Sequence, residues 1–396
     1  MTLGRLKFWY FVVGGLGSLV TSYYFNFLFF LLHEEFGFGN RENLAAAAMH
    51  GSLYIVAAWQ CGKFAERRGF HTSMKLGFGG LCASMLLGWV ASSVFVQMIA
   101  LVGYTVSVCF IWPAIEALVT EHEPPSRVPH MIGVYNCNWS TAAAISYFGG
   151  GSLFQWLGKV SLFGLPALVA LLLLLMVHWL EGHDKRLVLP RVLPVDRTPH
   201  PEPAAFSQVI APKTFLQLAW VANPFSYVAI YTLIATMPGL AEKFGLSPAG
   251  VGLFCSVWLF GRLAAFVVLW HWSGWHYNFR YLVLGFALLT ASFVAMLLSP
   301  SLWLVIAAQV VFGVTCGLMY YSSLFYAMDV GDAKGEHGGL HEAAIGAGIF
   351  AGPAVGALSL QLFPHVANAS AMAVSGLLVV GLGAIVAVGR RRGRAS

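Results

Sequence analysis

Twelve apolar stretches recur along the 396 residues, each long enough to cross a hydrocarbon core of about 30 Å, which takes roughly 20 helical residues. They cover 8–33, 42–65, 72–92, 93–119, 129–157, 159–180, 213–238, 248–270, 280–298, 301–329, 338–363 and 366–389. Only 10% of the residues are charged, against roughly 25% in soluble domains, so no soluble core accounts for these runs. Alternating polar and apolar strands are missing, and helices are then left to satisfy the backbone hydrogen bonds in lipid. The expected fold is an all-α membrane protein of twelve transmembrane helices in two pseudo-symmetric six-helix bundles, 1–180 and 213–396. The stretch 181–212 joins them; it is rich in proline and charge and is expected to be a linker with no core of its own.

Orientation follows from Lys and Arg, which gather on the cytoplasmic side of a membrane. With a cytoplasmic N-terminus, only Arg41, Lys159 and Lys243 of the 22 fall outside, and Arg262 falls within a span. Both termini are therefore expected in the cytoplasm of a multi-pass protein of the plasma (inner) membrane. The terminal run Arg390-Arg391-Arg392-Gly393-Arg394 reads as a topological anchor and not as a nucleic-acid site. Residues 1–7 lead directly into the first span and are expected to be retained. All six cysteines lie in spans without Cys-x-x-Cys spacing, which suits packing and not disulfides or metal. A phosphate-cradling Gly-x-x-x-x-Gly-Lys-Ser/Thr loop is lacking too, so ATP is not the expected energy source.

The two halves repeat one another. Gly62-Lys63-Phe64-Ala65-Glu66-Arg67-Arg68-Gly69-Phe70-His71 recurs, worn, at Val267 to His276, with Gly274 where Gly69 stands. Phe36-Gly37 matches Phe244-Gly245, Gly133 matches Gly339 and Gln155 matches Gln361. Twelve spans split by a polar linker, with Gly-x-x-x-Glu-Arg-x-Gly between the second and third, resemble the major facilitator superfamily. Glu66 stands where that pattern more usually has Asp, and the second copy has lost its acid. The resemblance implies transport by alternating access, with the loop (Gly62, Glu66, Arg67, Gly69) contacting the start of span eleven near 338–342. The residues give separate reasons for the loop: Gly69 admits positive φ in a tight turn, Gly62 permits close helix contact, and the arginines favour the cytosol.

Spans three, six, nine and twelve carry few large polar groups and are expected to face lipid, while the other eight wall a cavity. Its candidate lining is Tyr24 and Asn26 in span one, Tyr104 and Trp112 in span four, and Asn223, Tyr227 and Tyr231, spaced by four, in span seven. Span ten adds Tyr320, Tyr321 and Ser323. Aromatic faces with scattered amides and hydroxyls suit a small organic solute. The ordinary alternative is helix packing or an aromatic belt at the membrane surface.

Arg262, about 12 Å deep at 1.5 Å per residue, is either an anion-binding or gating residue or a snorkelling one. Depth also matches Gln60 with Glu342, and Asn136 or Asn138 with Arg262. These five are the candidate cytoplasmic gate, expected to pair when the cavity faces outward and to part when it opens inward, and the resemblance implies that their spans meet between the halves. His50, Glu116 and Glu342 are candidate proton sites. The partners expected are the lipid bilayer, a small-molecule substrate and, as a candidate co-substrate, protons, with no nucleic acid; a monomer is expected, with no catalytic residue, cofactor or metal. A membrane-embedded enzyme or a non-transporting receptor or scaffold are the alternatives, and an anion transporter using Arg262 is a third. His341-Glu342 is the one acid–base pair at membrane depth, without metal-ligand spacing.

Overall fold

The structure, a computed structural model, describes residues 1–124, 127–187, 211–330, 336–366 and 368–392, with side chains omitted over 328–340 and 391–392. The helices are α1 (Leu3–Phe36), α2 (Asn40–Arg68), α3 (Phe70–Val90), α4 (Val94–Thr120), α5 (Val128–Lys159), α6 (Leu165–Asp184), α7 (Pro212–Lys243), α8 (Pro248–His271), α9 (Phe279–Leu298), α10 (Leu302–Val330), α11 (Glu336–Leu362) and α12 (Ala369–Arg392). A π-helical turn, Val160–Gly164, joins α5 to α6 after a break at Gly158. Each helix falls within a few residues of the stretch read from sequence. Ten stretches pass as membrane spans on length and hydropathy: α2 falls short, and α5 with α6 forms one run, Val128–Asp184. Most of the linker, 188–210, lies outside the described residues.

Helices α1–α6 pack among themselves, and α7–α12 repeat the same pattern: α1 on α5 and α6 corresponds to α7 on α11 and α12, and α3 on α4 and α6 to α9 on α10 and α12. Between the halves, α2 packs on α11 and α5 on α8. The equivalent helices α1 and α7 are the most enclosed, with 78% and 67% of their apolar windows buried, against 28% for α12. One end of the bundle carries both termini; the other, called distal here, carries the α1–α2 and α7–α8 turns.

Geometry supports the repeat. Gly37 and Gly245 close α1 and α7 with φ of 68° and 60°, a left-handed conformation that costs a side chain but not glycine. At the distal end, Gln361 Oε1 accepts a hydrogen bond from Arg41 Nη1 at 2.7 Å, linking α11 to α2. Its counterpart Gln155 Oε1 accepts from the Ala249 amide at 3.0 Å, linking α5 to α8. The second signature loop departs from the first. Gly69 has φ of 92°, whereas Gly274 is not in the left-handed region, and Tyr277, φ 52°, takes that role instead.

Three lysines terminate helices other than their own. Lys7 is buried and donates to the carbonyls of Leu118 (2.7 Å), Val119 (3.1 Å) and Glu121, at the end of α4. Lys159 donates to Ala91 O at 2.5 Å, at the end of α3, and Lys243 to Ser299 O at 2.8 Å, at the end of α9. A cation answers the free carbonyls and the negative pole of a helix C-terminus. Lys159 and Lys243 are two of the three basic residues that the orientation reading left on the outer side. Lys7→Met leaves these carbonyls without a charged donor, and a hydrogen bond to a charged group is worth about 1.5–3 kcal/mol. A melting temperature several degrees below wild type, followed by tryptophan fluorescence in detergent, is expected. An unchanged melt would show that Lys7 contributes nothing there.

Candidate functional site

A cavity of about 190 Å³ lies between the halves, lined among the described residues by α1, α2, α4, α5, α7, α8, α10 and α11. Among the described residues none of α3, α6, α9 or α12 lines it, in line with the four helices read as polar-poor. Of the residues nominated from sequence, Asn26, Tyr104, Trp112, Tyr227, Tyr231 and Tyr320 line it, together with Arg262, Glu116 and Glu342.

Four nominated residues are placed elsewhere. Tyr24 is fully buried against Tyr104 and Phe163, with ring centroids 4.7 and 5.6 Å away. Asn223 lies 3.4 Å from His341 Nε2, which also bonds Ser323 Oγ at 3.0 Å. That network uses two of the supposed lining residues, because a buried amide and hydroxyl must find partners and the imidazole offers one. Tyr321 packs against Trp275 and Phe266. The reverse error is on α5, where Tyr135, Trp139, Ala143 and Tyr147 all line the cavity at intervals of four. That periodicity was present in the sequence. Phe25, Tyr54 and Trp258 were likewise missed.

Neither polar pair is formed in this distally closed state; both were expected with the cavity facing outward. Gln60 is exposed, and Glu342 Oε2 instead accepts from Tyr54 Oη at 2.6 Å. His341 Nδ1 stands 3.8 Å from the other Glu342 oxygen. Asn138 Nδ2 donates to Phe11 O at 2.8 Å, and Asn136 Oδ1 accepts from Trp139 Nε1 at 3.1 Å, both within their own half, while the buried Asn136 Nδ2 has no partner among the described residues. Glu66 is exposed and has no hydrogen bond or ion pair among the described residues. Of the region 338–342 expected near it, His341 and Glu342 pair with Ser323 and Tyr54 and not with Glu66, and the side chains of 338–340, the stretch that holds Gly339 of the repeat, are among those omitted.

Arg262 is 3% exposed and held by aromatic rings. Its guanidinium carbon lies 4.7 Å from the Trp139 ring centroid, 5.0 Å from Tyr320, 5.5 Å from Phe266 and 5.9 Å from Tyr227. Such faces attract a cation through the ring quadrupole. One nitrogen, Nη2, donates to Tyr227 Oη at 3.4 Å, while Nε has no partner. Among the described residues no carboxylate comes within 4.0 Å of it. His50 donates or accepts at Thr105 Oγ1, 2.7 Å away, and stacks on Tyr231 at 5.7 Å, behind the cavity wall.

The distal end above this cavity is closed. A side chain at Gly51 of α2 would strike the Phe350 backbone of α11. On the other side, a Cβ at Gly252 of α8 would come within 2.6 Å of Tyr147 O and 2.9 Å of Gly151 N on α5. Between these contacts Phe25 of α1 packs on Tyr231 of α7 at 5.2 Å.

The family profile of the Major Facilitator Superfamily matches residues 10–234. No curated protein matches the chain in sequence. Similar solved structures include a bacterial homologue of the human lysosomal transporter Spinster, in an inward-facing, unoccupied conformation (14% identity, TM-score 0.68, covering 99% of this chain and 96% of that one). A bacterial homologue of the human drug peptide transporters PepT1 and PepT2 (15% identity, TM-score 0.70, 99% and 100%) and the nucleoside transporter NupG (12%, 0.68, 97% and 98%) share the fold as well. At such identities the likeness speaks for the fold alone. The profile match extends from α1 into α7, across more than half of the chain, and on that ground this multi-pass membrane protein belongs to the major facilitator superfamily, a family of transporters and not of enzymes.

Proposed function

We propose that the chain is a secondary active or facilitative transporter of a small organic solute that works by alternating access around the central cavity. The observation that carries this reading is a cavity walled by both halves beneath a distal seal made of contacts between those same halves. Parting α2 from α11 and α5 from α8 would open the cavity at the distal end, and no contact inside either half need change. All twelve helices are read as spanning the membrane, six in each half, with 181–212 as the linker. The bias of Lys and Arg puts the terminal end in the cytoplasm, which makes the distal end the outer one in a plasma (inner) membrane.

Asn26, Tyr104, Trp112, Tyr227, Tyr231 and Tyr320 are the proposed solute contacts. Glu116 and Glu342, facing one cavity from opposite halves, are the proposed proton sites if transport is proton-coupled. Gly69, with its positive φ, is proposed as the turn that lets α2 and α3 keep their joint through both states.

Single-cysteine labelling in a background without the six native cysteines tests the reading. Cysteines at Asn40 and Ser247 are expected to react with an impermeant thiol reagent in intact cells, and one at Thr198 is expected not to. A cysteine at Ser22, on the cavity wall, is expected to react from the outside in cells and from the cytoplasmic side in inverted vesicles. Reaction of the Ser22 site from one side only would refute alternating access, and reaction at Thr198 from outside would reverse the orientation.

A further inference from the structure

The cavity carries separated charges of both signs, and its walls hold polar groups that the protein leaves unanswered. On α8, Arg262 Nε and Trp258 Nε1, four residues apart, are buried donors without a partner, and Tyr147 Oη on the facing helix α5 is a third. Buried donors of this kind are rare, and each calls for an acceptor. A guanidinium offers its fork to a carboxylate or another oxyanion more readily than any other side chain. Here the aromatic faces around it leave that fork without a protein carboxylate.

Acidic groups line the same cavity nearer the terminal end. The Glu116 carboxylate of α4 makes no hydrogen bond or ion pair among the described residues, and Glu342 of α11 is fixed by Tyr54 at 2.6 Å with one oxygen facing His341. Glu116 lies four residues from the end of α4, Glu342 six from the start of α11 and Arg262 nine from the end of α8. At 1.5 Å per residue the positive group stands about 4 to 8 Å deeper along the bundle than the two acids. Tyr135, seven residues from the start of α5, lines the cavity at an intermediate depth, and Tyr320 lines it beside Arg262.

Granting that the cavity is the solute site, we infer that its solute is a zwitterion with an apolar, ring-sized body, its oxyanion on Arg262 beside Trp258 and Tyr147, and its ammonium on Glu116 and Glu342. A neutral sugar would leave both charges unmatched. A simple anion would leave Glu116 and Glu342 to be neutralised by protons alone, with no group of the solute answering them, and a simple cation would be repelled by Arg262. A solute carrying both charges answers each at the depth where it stands.

The test measures thermal stabilisation of the purified full-length protein, since a ligand that binds only the folded state raises its melting temperature. Three zwitterions of increasing charge separation serve as probes: L-phenylalanine, L-phenylalanylglycine and 4-(aminomethyl)benzoate. At least one is expected to raise the melting temperature, and its N-acetyl and carboxamide analogues are each expected to bind at least about tenfold more weakly. Arg262→Gln should weaken the zwitterion and the N-acetyl analogue while leaving the carboxamide unaffected. Glu116→Gln, nearly isosteric, should do the converse. Arg262→Lys is the control that keeps the charge if Arg262→Gln folds poorly, and it should recover part of the affinity. The inference is overturned if none of the three zwitterions stabilises the protein, or if either capped analogue binds as well as its parent. Two-sided labelling at Ser22 is independent of any ligand, so transport can stand while the zwitterion falls.

Discussion

Gly252→Val should abolish transport while leaving a folded, membrane-inserted protein. In the distally closed state Gly252 of α8 touches α5 so closely that a Cβ there would lie 2.6 Å from Tyr147 O and 2.9 Å from Gly151 N. Both neighbours are backbone and cannot turn aside, so α8 must retreat from α5. Overpacking of this kind costs about 1–3 kcal/mol. The contact joins the two halves, so the penalty falls on one conformation and not on the fold of either half. A bias of about 1–3 kcal/mol shifts a two-state equilibrium roughly 5- to 150-fold. The variant should be produced at near-normal levels, react more strongly at Ser22→Cys from outside, and fail to complete the cycle. Ordinary uptake by Gly252→Val would mean that the two helices never close this tightly during transport.

Gly313→Val should instead remove the folded protein. This glycine belongs to α10 and meets α8 within the same half, where an added Cβ would strike Trp258 O and lie 2.9 Å from Arg262 N. No domain motion relieves that clash, because both helices belong to one rigid packing unit. Little monodisperse protein should be recovered, and what remains should melt well below wild type. Recovery of Gly313→Val in normal yield with normal melting would show that α8 and α10 have slack that their contact does not suggest.

Helix positions were legible because a span leaves a run of about 20 apolar residues, and hydrocarbon tolerates little else. Helix α2 shows the limit of that signal. It contains Asn43, His50 and Tyr54, whose polar atoms find Phe29 O, Thr105 and Glu342, so it need not be apolar to be enclosed. The cavity-lining helices were legible for the same reason, as the ones that retain polar groups. The partners were not. Depth along a helix gives height but not azimuth: six residues separate Tyr54 from Gln60, which leaves them about 120° apart around the helix at 3.6 residues per turn. Tyr54 therefore meets Glu342, and Gln60 faces outward. Asn223 and His341 are 118 positions apart, and nothing in either segment advertises the other. Around Arg262 the structure places rings, a partner class with no polar signature in a sequence already 14% aromatic.

The lysines that close other helices have a mechanical consequence. Lys159 sits at the distal end of α5 and Lys243 at the distal end of α7, and both helices line the cavity. The carbonyls they hold belong to α3 and α9, which do not line it. Each lysine thus straps a peripheral helix to a central one, and each strap lies wholly within one half. When the halves part, no strap crosses the dividing plane, so α3 travels with α5 and α9 with α7, and six helices respond as a single lever to a force applied at the cavity wall.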